Sequence, residues 1–209
     1  MQPMSDRSSY HHGDLRNGLI EAAVRLVEAK GVAGLSLRAV AREAGVSQAA
    51  PYHHFRDKEA LMAEVCRLGF DRLGERMAEA AERTEGDAMV RLQAVGRAYV
   101  AFSREQRAYF LLMWGGHVHD QTCFPELEAS ARCTFEMLVQ LICDGQQAGE
   151  LRQGNPLELA LSAWSAVHGV ARLLVDKGLD GGAMADKGVT PELVVEGTLA
   201  MISRGLAPA

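Results

Sequence analysis

Two groups of residues in this 209-residue chain are of types and spacings that could do chemistry. The first is His117-Val118-His119-Asp120, directly after Gly115-Gly116, with Cys123 three residues on. Imidazole, carboxylate and thiolate are all zinc ligands. Two histidines at i and i+2 suit an extended loop, however, and match no usual ligand pattern. The competing reading is a polar loop, and no metal is assigned. Four cysteines, Cys66, Cys123, Cys133 and Cys143, contain no C-x-x-C pair. Nothing near them in sequence obviously lowers a thiol pKa, so they read as reduced, mostly buried thiols rather than oxidant sensors. There is no nucleophile elbow, phosphate-binding loop or dinucleotide fingerprint. The chain is therefore expected not to be an enzyme and to carry no cofactor. A helical metal-dependent enzyme built on the 117–123 loop is the remote alternative.

The second group is residues 36–55, SLRAVAREAGVSQAAPYHHF. Leu37, Val40, Ala41 and Ala44 share one side of a short helix that Ser36 caps. Gly45 then lets the chain reverse within three or four residues, and Ser47 opens another short helical segment. Such a pair can project its second helix into a DNA major groove. It can equally be an αα-hairpin inside a bundle, and spacing alone leaves the two readings open.

The elements that must position these residues are helical throughout. Period-2 alternation is nearly absent, while Ala, Leu, Glu and Arg recur at helical spacing. Asp14 is the expected cap of a first helix with Leu19, Ala22, Ala23 and Leu26 on one face, closed by Gly31. After 36–44 and 47–55, Asp57 caps a fourth helix running to about Arg83. Thr84, Glu85, Gly86 and Asp87 form a linker, and further helices are predicted over about 88–103, 106–114, 126–148, 156–177 and 191–204. The expected fold is all-α with about nine helices. An N-terminal three-helix domain, 1–60, is joined by the long fourth helix to a C-terminal helical domain, 61–209. No run of apolar residues is long enough for a membrane span, and the polar N-terminus does not read as a signal peptide, so the expected location is the cytoplasm. The net charge of −5 speaks against indiscriminate coating of nucleic acid. Its distribution is uneven: eight Lys/Arg face seven Asp/Glu through Ala60, against fourteen and twenty beyond it. A near-neutral head on an acidic body suits a local DNA-binding surface.

The run from Leu19 to Leu61, LIEAAVRLVEAKGVAGLSLRAVAREAGVSQAAPYHHFRDKEAL, resembles the N-terminal domain of the tetracycline-repressor (TetR) family. The matching elements are the Gly31 break, the capped LSLRAVAREAGVS, and YHHF followed by Asp57-Lys58-Glu59. WSAVHG, with Trp164, His168 and Gly169, is similar to a subgroup with a Trp-His-Gly signature. The resemblance implies a homodimeric DNA-binding transcriptional regulator, most simply a repressor that a small-molecule effector releases from double-stranded operator DNA. It places Ser47, Gln48 and Ala49 nearest the base edges, with Gln48 able to pair bidentately with adenine. It gives Tyr52, His53 and Lys58 to phosphates, and Ser36 and Arg38 to the backbone from the preceding helix. Pro51 lacks an N–H and biases Ala50 away from helical angles, so the recognition helix is expected to start late or as a tighter turn. His11 and His12, with Arg16, form either a phosphate-contacting arm or a solvated tail.

The resemblance also implies an apolar effector pocket in the second half, where aromatic and Met residues are dense. The expected ligand-binding residues are Tyr109, Met113, Trp114, Phe135, Trp164 and His168. His168 is either the polar anchor of that pocket or a core histidine. Control by a protein partner, or by a redox or metal signal without a small-molecule inducer, is the other reading of the body.

Overall fold

The computed structural model describes residues 8–118, 120–176 and 188–208; the side chains of 8–14 and of Gln121 lie outside the described set. Among the described residues there are eight α-helices and no strand. They are α1 Ser8–Lys30, α2 Leu37–Glu43, α3 Lys58–Arg83, α4 Ala88–Glu105, α5 Arg107–Met113, α6 Pro125–Gln147, α7 Pro156–Val175 and α8 Pro191–Leu206. Short 3-10 turns occupy Val32–Gly34, Ala50–His53 and Gln121–Cys123.

Eight of the nine expected helices are thus α-helical, and the ninth, over 47–55, is not. Pro51 has no N–H to give to the carbonyl four residues back. The chain tightens instead: Ala50 N–H bonds Ser47 O at 3.0 Å, and Tyr52 N–H bonds Ala49 O at 3.1 Å, both three residues back. The first helix also differs from expectation, because it begins at Ser8 and carries Asp14 inside rather than at its cap.

The other caps follow the sequence signals. Asp57 Oδ1 accepts from Ala60 N–H at 2.8 Å, Asp87 Oδ1 from Val90 N–H at 2.9 Å and Asn155 Oδ1 from Leu157 N–H at 3.0 Å. Each satisfies an amide that the helix itself cannot, a contribution of roughly 1 kcal/mol. Pro156 and Pro191 stand in first turns, where their missing N–H costs nothing.

By contact the chain divides into two compact units, Met1–Leu68 with Ala108–Glu128, and Gly69–Arg107 with Ala129–Ala209. In the first, Leu19, Ala22, Ala23 and Leu26 bury one face of α1, alongside buried Leu37, Val40 and Ala41 of α2 and Leu61 and Val65 of α3. In the second, α4, α7 and α8 pack on one another. Gly96 sets how closely α4 meets α8, since a Cβ there would stand 2.6 Å from Leu199 Cδ2. A core cluster including Leu92, Ile142, Leu151 and Leu159 fills part of this unit. No described helix is long and apolar enough to cross a membrane.

Candidate nucleic-acid interface and ligand cavity

The candidate DNA-contacting residues lie on or beside the α2–turn–3-10 segment. Ser36 Oγ accepts from Ala39 N–H at 3.2 Å and starts α2. The helix ends in a reversal at Gly45, whose φ of 68° is the left-handed conformation that glycine adopts without steric cost. Gly45 N–H bonds Arg42 O at 3.2 Å and Val46 N–H bonds Ala41 O at 2.9 Å. This paired pattern satisfies the last carbonyls of α2 and fixes the angle at which the next segment leaves. Pro51 and Phe55 are buried and anchor that segment from beneath. Ser36, Arg38, Ser47, Gln48, Ala49, Tyr52 and His53 are all exposed, Tyr52 to 54%, and Lys58 is half-buried at the first position of α3. The α2–turn–3-10 segment and the start of α3 therefore expose an amide, a phenol, an imidazole and, at Arg38 and Lys58, two cations.

Behind it, Glu64 of α3 braces α1. Its carboxylate, 9% exposed, accepts from Arg16 at 2.9 Å and from Arg67 at 2.8 Å. Burial pushes this carboxyl up, but hydrogen bonds from Arg67 and Arg16, and their charges, more than reverse that and bring it down to about 2. The Arg16 guanidinium lies 5.4 Å from the centroid of Phe55, which ties α1 to the end of the 3-10 turn. A cavity of about 290 Å³ with mixed polar and apolar walls adjoins this network, lined by His54, Phe55, Glu64 and Phe124 among others. Arg16 is thus part of an internal brace. His11 and His12, the other residues of the suggested arm, have side chains outside the described set.

In the 117–123 loop, the Asp120 carboxylate accepts from Thr122 N–H at 2.9 Å and from the Cys123 thiol at 3.6 Å. The Asp120 charge holds the Cys123 thiol above its ordinary value, and burial pushes Cys66 up to about 12. Both shifts work against thiolate chemistry. Among the described residues no group of three or more His, Cys, Asp and Glu is placed to hold a metal ion. His119 lies outside them.

The second unit holds an apolar cavity of about 40 Å³ between α4, α7 and α8. Gln93 and Tyr99 of α4, Trp164 and Val167 of α7, and Leu199 and Ser203 of α8 are among its walls. Of the expected ligand-binding residues, Trp164 lines it. His168, one turn on, stacks against Trp164 with ring centroids 5.2 Å apart and shares a 2.8 Å hydrogen bond with the Tyr99 hydroxyl. Phe135 meets Trp164 edge-on at 6.3 Å. Tyr109 and Met113 are buried and Trp114 half-buried, but in the other unit and outside this cavity's lining. Burial, and then the charge of Arg172, hold His168 below its ordinary value. Gln93 donates to Ser203 Oγ at 2.8 Å, and Ser203 donates in turn to Leu199 O at 2.8 Å.

A profile described as "Bacterial regulatory proteins, tetR family" matches residues 19–65, and one described as "Tetracyclin repressor-like, C-terminal domain" matches residues 92–197. The second alone covers half of the chain. The chain belongs to the TetR family. This TetR-family chain is 36% identical to a solved protein of unknown function from Rhodococcus sp. RHA1, with a TM-score of 0.81 over 96% of this chain and 100% of that one. The structure of AibR in complex with isovaleryl coenzyme A and operator DNA shares the fold, with a TM-score of 0.68 at 19% identity over 90% of this chain and 97% of that one. In sequence, 92 residues are 30% identical to the HTH-type transcriptional regulator AcrR of Shigella flexneri, spanning 44% of this chain and 43% of AcrR. The chain thus spans less than half the length of that curated relative.

Gln93 and Ser203 escaped the sequence reading of the TetR-family chain. Their signal was a polar side chain inside an apolar helical stripe: Met89, Gln93, Gly96 and Val100 on α4, and Leu199, Ser203 and Leu206 on α8. Only the packing of α4 against α8 turns those two interruptions into a pair.

Proposed function

We propose that this chain is a homodimeric transcriptional repressor that binds a roughly palindromic operator through residues 1–60 and is released by a small, mainly apolar effector bound within residues 61–209. The observation that carries the DNA-binding part is the exposure of Ser36, Arg38, Ser47, Gln48, Ala49, Tyr52 and His53 on either side of the Gly45 turn. It coincides with the segment matched to bacterial regulatory proteins. Gln48 reads a base edge, while Arg38, Tyr52 and Lys58 set register on phosphates. Dimerisation is supported by the outward faces of α7 and α8, where Leu157, Leu161, Leu173, Leu193 and Met201 are 43–62% exposed. Such an apolar surface suits a two-fold four-helix contact with a second copy. AibR, which shares the fold, has been solved in complex with isovaleryl coenzyme A and operator DNA, which supports reading this fold as one that takes both a small molecule and an operator. The protein works in the cytoplasm, where its operator is.

The test is to incubate the purified chain with fragmented genomic DNA, sequence what it retains, and titrate that site in a gel shift. Retention of no common sequence defeats the reading. One observation favours a second reading. The cavity, at about 40 Å³, is far below the roughly 300 Å³ of a typical ligand site, so control by a protein partner acting on a nearly filled body competes with control by a small molecule.

A further inference from the structure

The cavity between α4, α7 and α8 has walls whose chemistry discriminates among ligands by charge. None of the residues lining it is Asp, Glu, Lys, Arg or His. Its polar groups are uncharged and sit in two places, one of which includes the Trp164 side chain, hydrogen-bonded to Tyr99, with His168 just outside the lining. Tyr99 Oη bonds His168 Nδ1 at 2.8 Å at one place, and Gln93 Nε2 bonds Ser203 Oγ at 2.8 Å at another. Gln93 and Tyr99 stand six residues apart on α4, which separates the two pairs by about 9 Å along the helix. The charges on the neighbouring helices are spent elsewhere: Arg97 makes two 2.7 Å bonds to Glu196 on the exposed side of α4 and α8, and Arg104 pairs with Glu192 at 3.7 Å. Arg172 pairs with Asp176 at 2.8 Å on the exposed side of α7, although its charge still acts on His168, which is not part of the lining.

From this wall chemistry we infer that the cavity takes a neutral molecule with an apolar middle and an uncharged hydrogen-bonding group at its end or ends, and that it rejects carboxylates and ammonium ions of the same shape. The inference rests on reading this cavity as the effector site. A charged ligand would leave water for a site with no counter-ion, which costs far more than one neutral hydrogen bond returns. A hydroxyl or amide fits at the Gln93–Ser203 pair, where the Gln93 amide keeps donor and acceptor capacity beyond its bond to Ser203. Burial pushes the Tyr99 phenol up and holds His168 down, so both stay uncharged near neutral pH. Entry needs room that about 40 Å³ does not provide, and the walls that yield most readily are Met77 and Met89. Thioether side chains re-pack with little strain.

The experiment titrates the full chain at neutral pH with octanol, octanoate and octylammonium, which share one alkyl chain and differ in head-group charge. Binding is read by thermal stability of the unmodified chain and by Trp164 fluorescence in a Trp114→Phe variant. Octanol is expected to bind at least ten-fold more tightly than either ion. Gln93→Leu should weaken it about three- to ten-fold, the loss of one neutral hydrogen bond, while Tyr99→Phe, about 9 Å away along α4, should change it less. Ala163→Leu, which fills the cavity, should abolish it while helical circular dichroism and operator binding persist. Octanoate or octylammonium binding as tightly as octanol overturns the inference, as does octanol binding that Ala163→Leu leaves unchanged, or no binding by any of the three. Selective octanol binding with no change in operator affinity leaves the neutral cavity standing and sinks the effector reading instead.

Discussion

At Glu64, burial and pairing pull one carboxyl in opposite directions, and pairing with Arg67 and Arg16 wins, leaving it at about 2 against an ordinary 4.5. The native state therefore holds this carboxylate ionised where the unfolded chain would begin to take up a proton. The stability it contributes is fully present above pH 4.5 and is lost as pH falls toward 2, an amount on the order of 2–3 kcal/mol once solvent screening of the partly exposed arginines is allowed for. Glu64→Gln should lower stability by about that much at pH 7, and the gap should close near pH 2. Urea unfolding followed by Trp114 emission in a Trp164→Phe background measures it; a gap that is the same at both pH values refutes the pairing argument. At the candidate DNA contacts the roles separate by salt. Lys58→Ala should weaken binding to every sequence and reduce the slope of log affinity against log salt by about one. Gln48→Ala should instead cost about 1–3 kcal/mol at particular base pairs and leave the salt slope alone. Identical behaviour of the two variants in gel-shift titrations would remove the distinction between positioning and reading.

Among the elements, the 3-10 turn Ala50–His53 departs most from what a family resemblance implies, and Pro51 is the cause. The expectation of a late or tighter start was legible because a missing N–H is a property of the residue itself. The start of α1 was not legible, since no side-chain cap at Asp14 decides where a helix begins when residues before it continue the same winding. Pro51→Leu restores the N–H and should let the segment wind as an α-helix, turning Tyr52 and His53 to new positions against DNA. Selection of bound sequences from a random pool should then return a changed preference; an unchanged one would mean that the turn geometry does not matter for recognition. The outer helices show a similar split. By helical spacing alone Leu157 and Leu161 share an apolar stripe with Trp164 and Ala171, yet Ala171 is fully buried and Trp164 lines the cavity. The outward stripe continues instead through Ser165, Gly169 and Leu173 on α7, and through Leu193, Gly197 and Met201 on α8. A Cβ at Gly169 or Gly197 would meet nothing within 4 Å, so nothing within the chain requires glycine there, though glycine weakens a helix interior by about 1 kcal/mol. A partner helix crossing closely supplies a reason. Leu161→Glu with Met201→Glu should give monomers with poor operator affinity, whereas Gly197→Ala should weaken the dimer only modestly. Light scattering that finds the unmodified chain monomeric at micromolar concentration would dispose of this contact.

For the molecule as a whole, helix number and order were readable because amphipathic period and caps are local, and the α2–Gly45 reversal because its chemistry is contiguous in sequence. The cavity was not, since it is made by residues from α3, α4, α6, α7 and α8 that only tertiary packing brings together. The aromatic density that suggested a pocket near Tyr109, Met113 and Trp114 marks buried side chains of the first unit, while the cavity of the second is walled mainly by aliphatic residues and methionines. Control of the operator then needs a conformational equilibrium that both ligands bias. α3 supplies covalent continuity for it, because one helix carries Lys58 at its first position and Met77, a cavity wall, in its sixth turn. An effector that displaces Met77 alters the packing of that helix, and it shifts the equilibrium only by its difference in affinity between the two states. A coupling of about 1–3 kcal/mol, typical of such proteins, means that saturating effector weakens operator binding by about five- to 150-fold. If the proposed effector control holds, the same factor must appear in reverse, as weaker effector binding by the operator-bound protein. Measuring both, operator affinity with saturating effector and effector affinity with saturating operator, closes the thermodynamic cycle. Met77→Leu, which keeps the volume but is less adaptable, should reduce the coupling while leaving operator affinity in the absence of effector unchanged. Equal effector affinity for the free and operator-bound dimer would mean that the cavity binds without controlling, and regulation would then have to enter elsewhere.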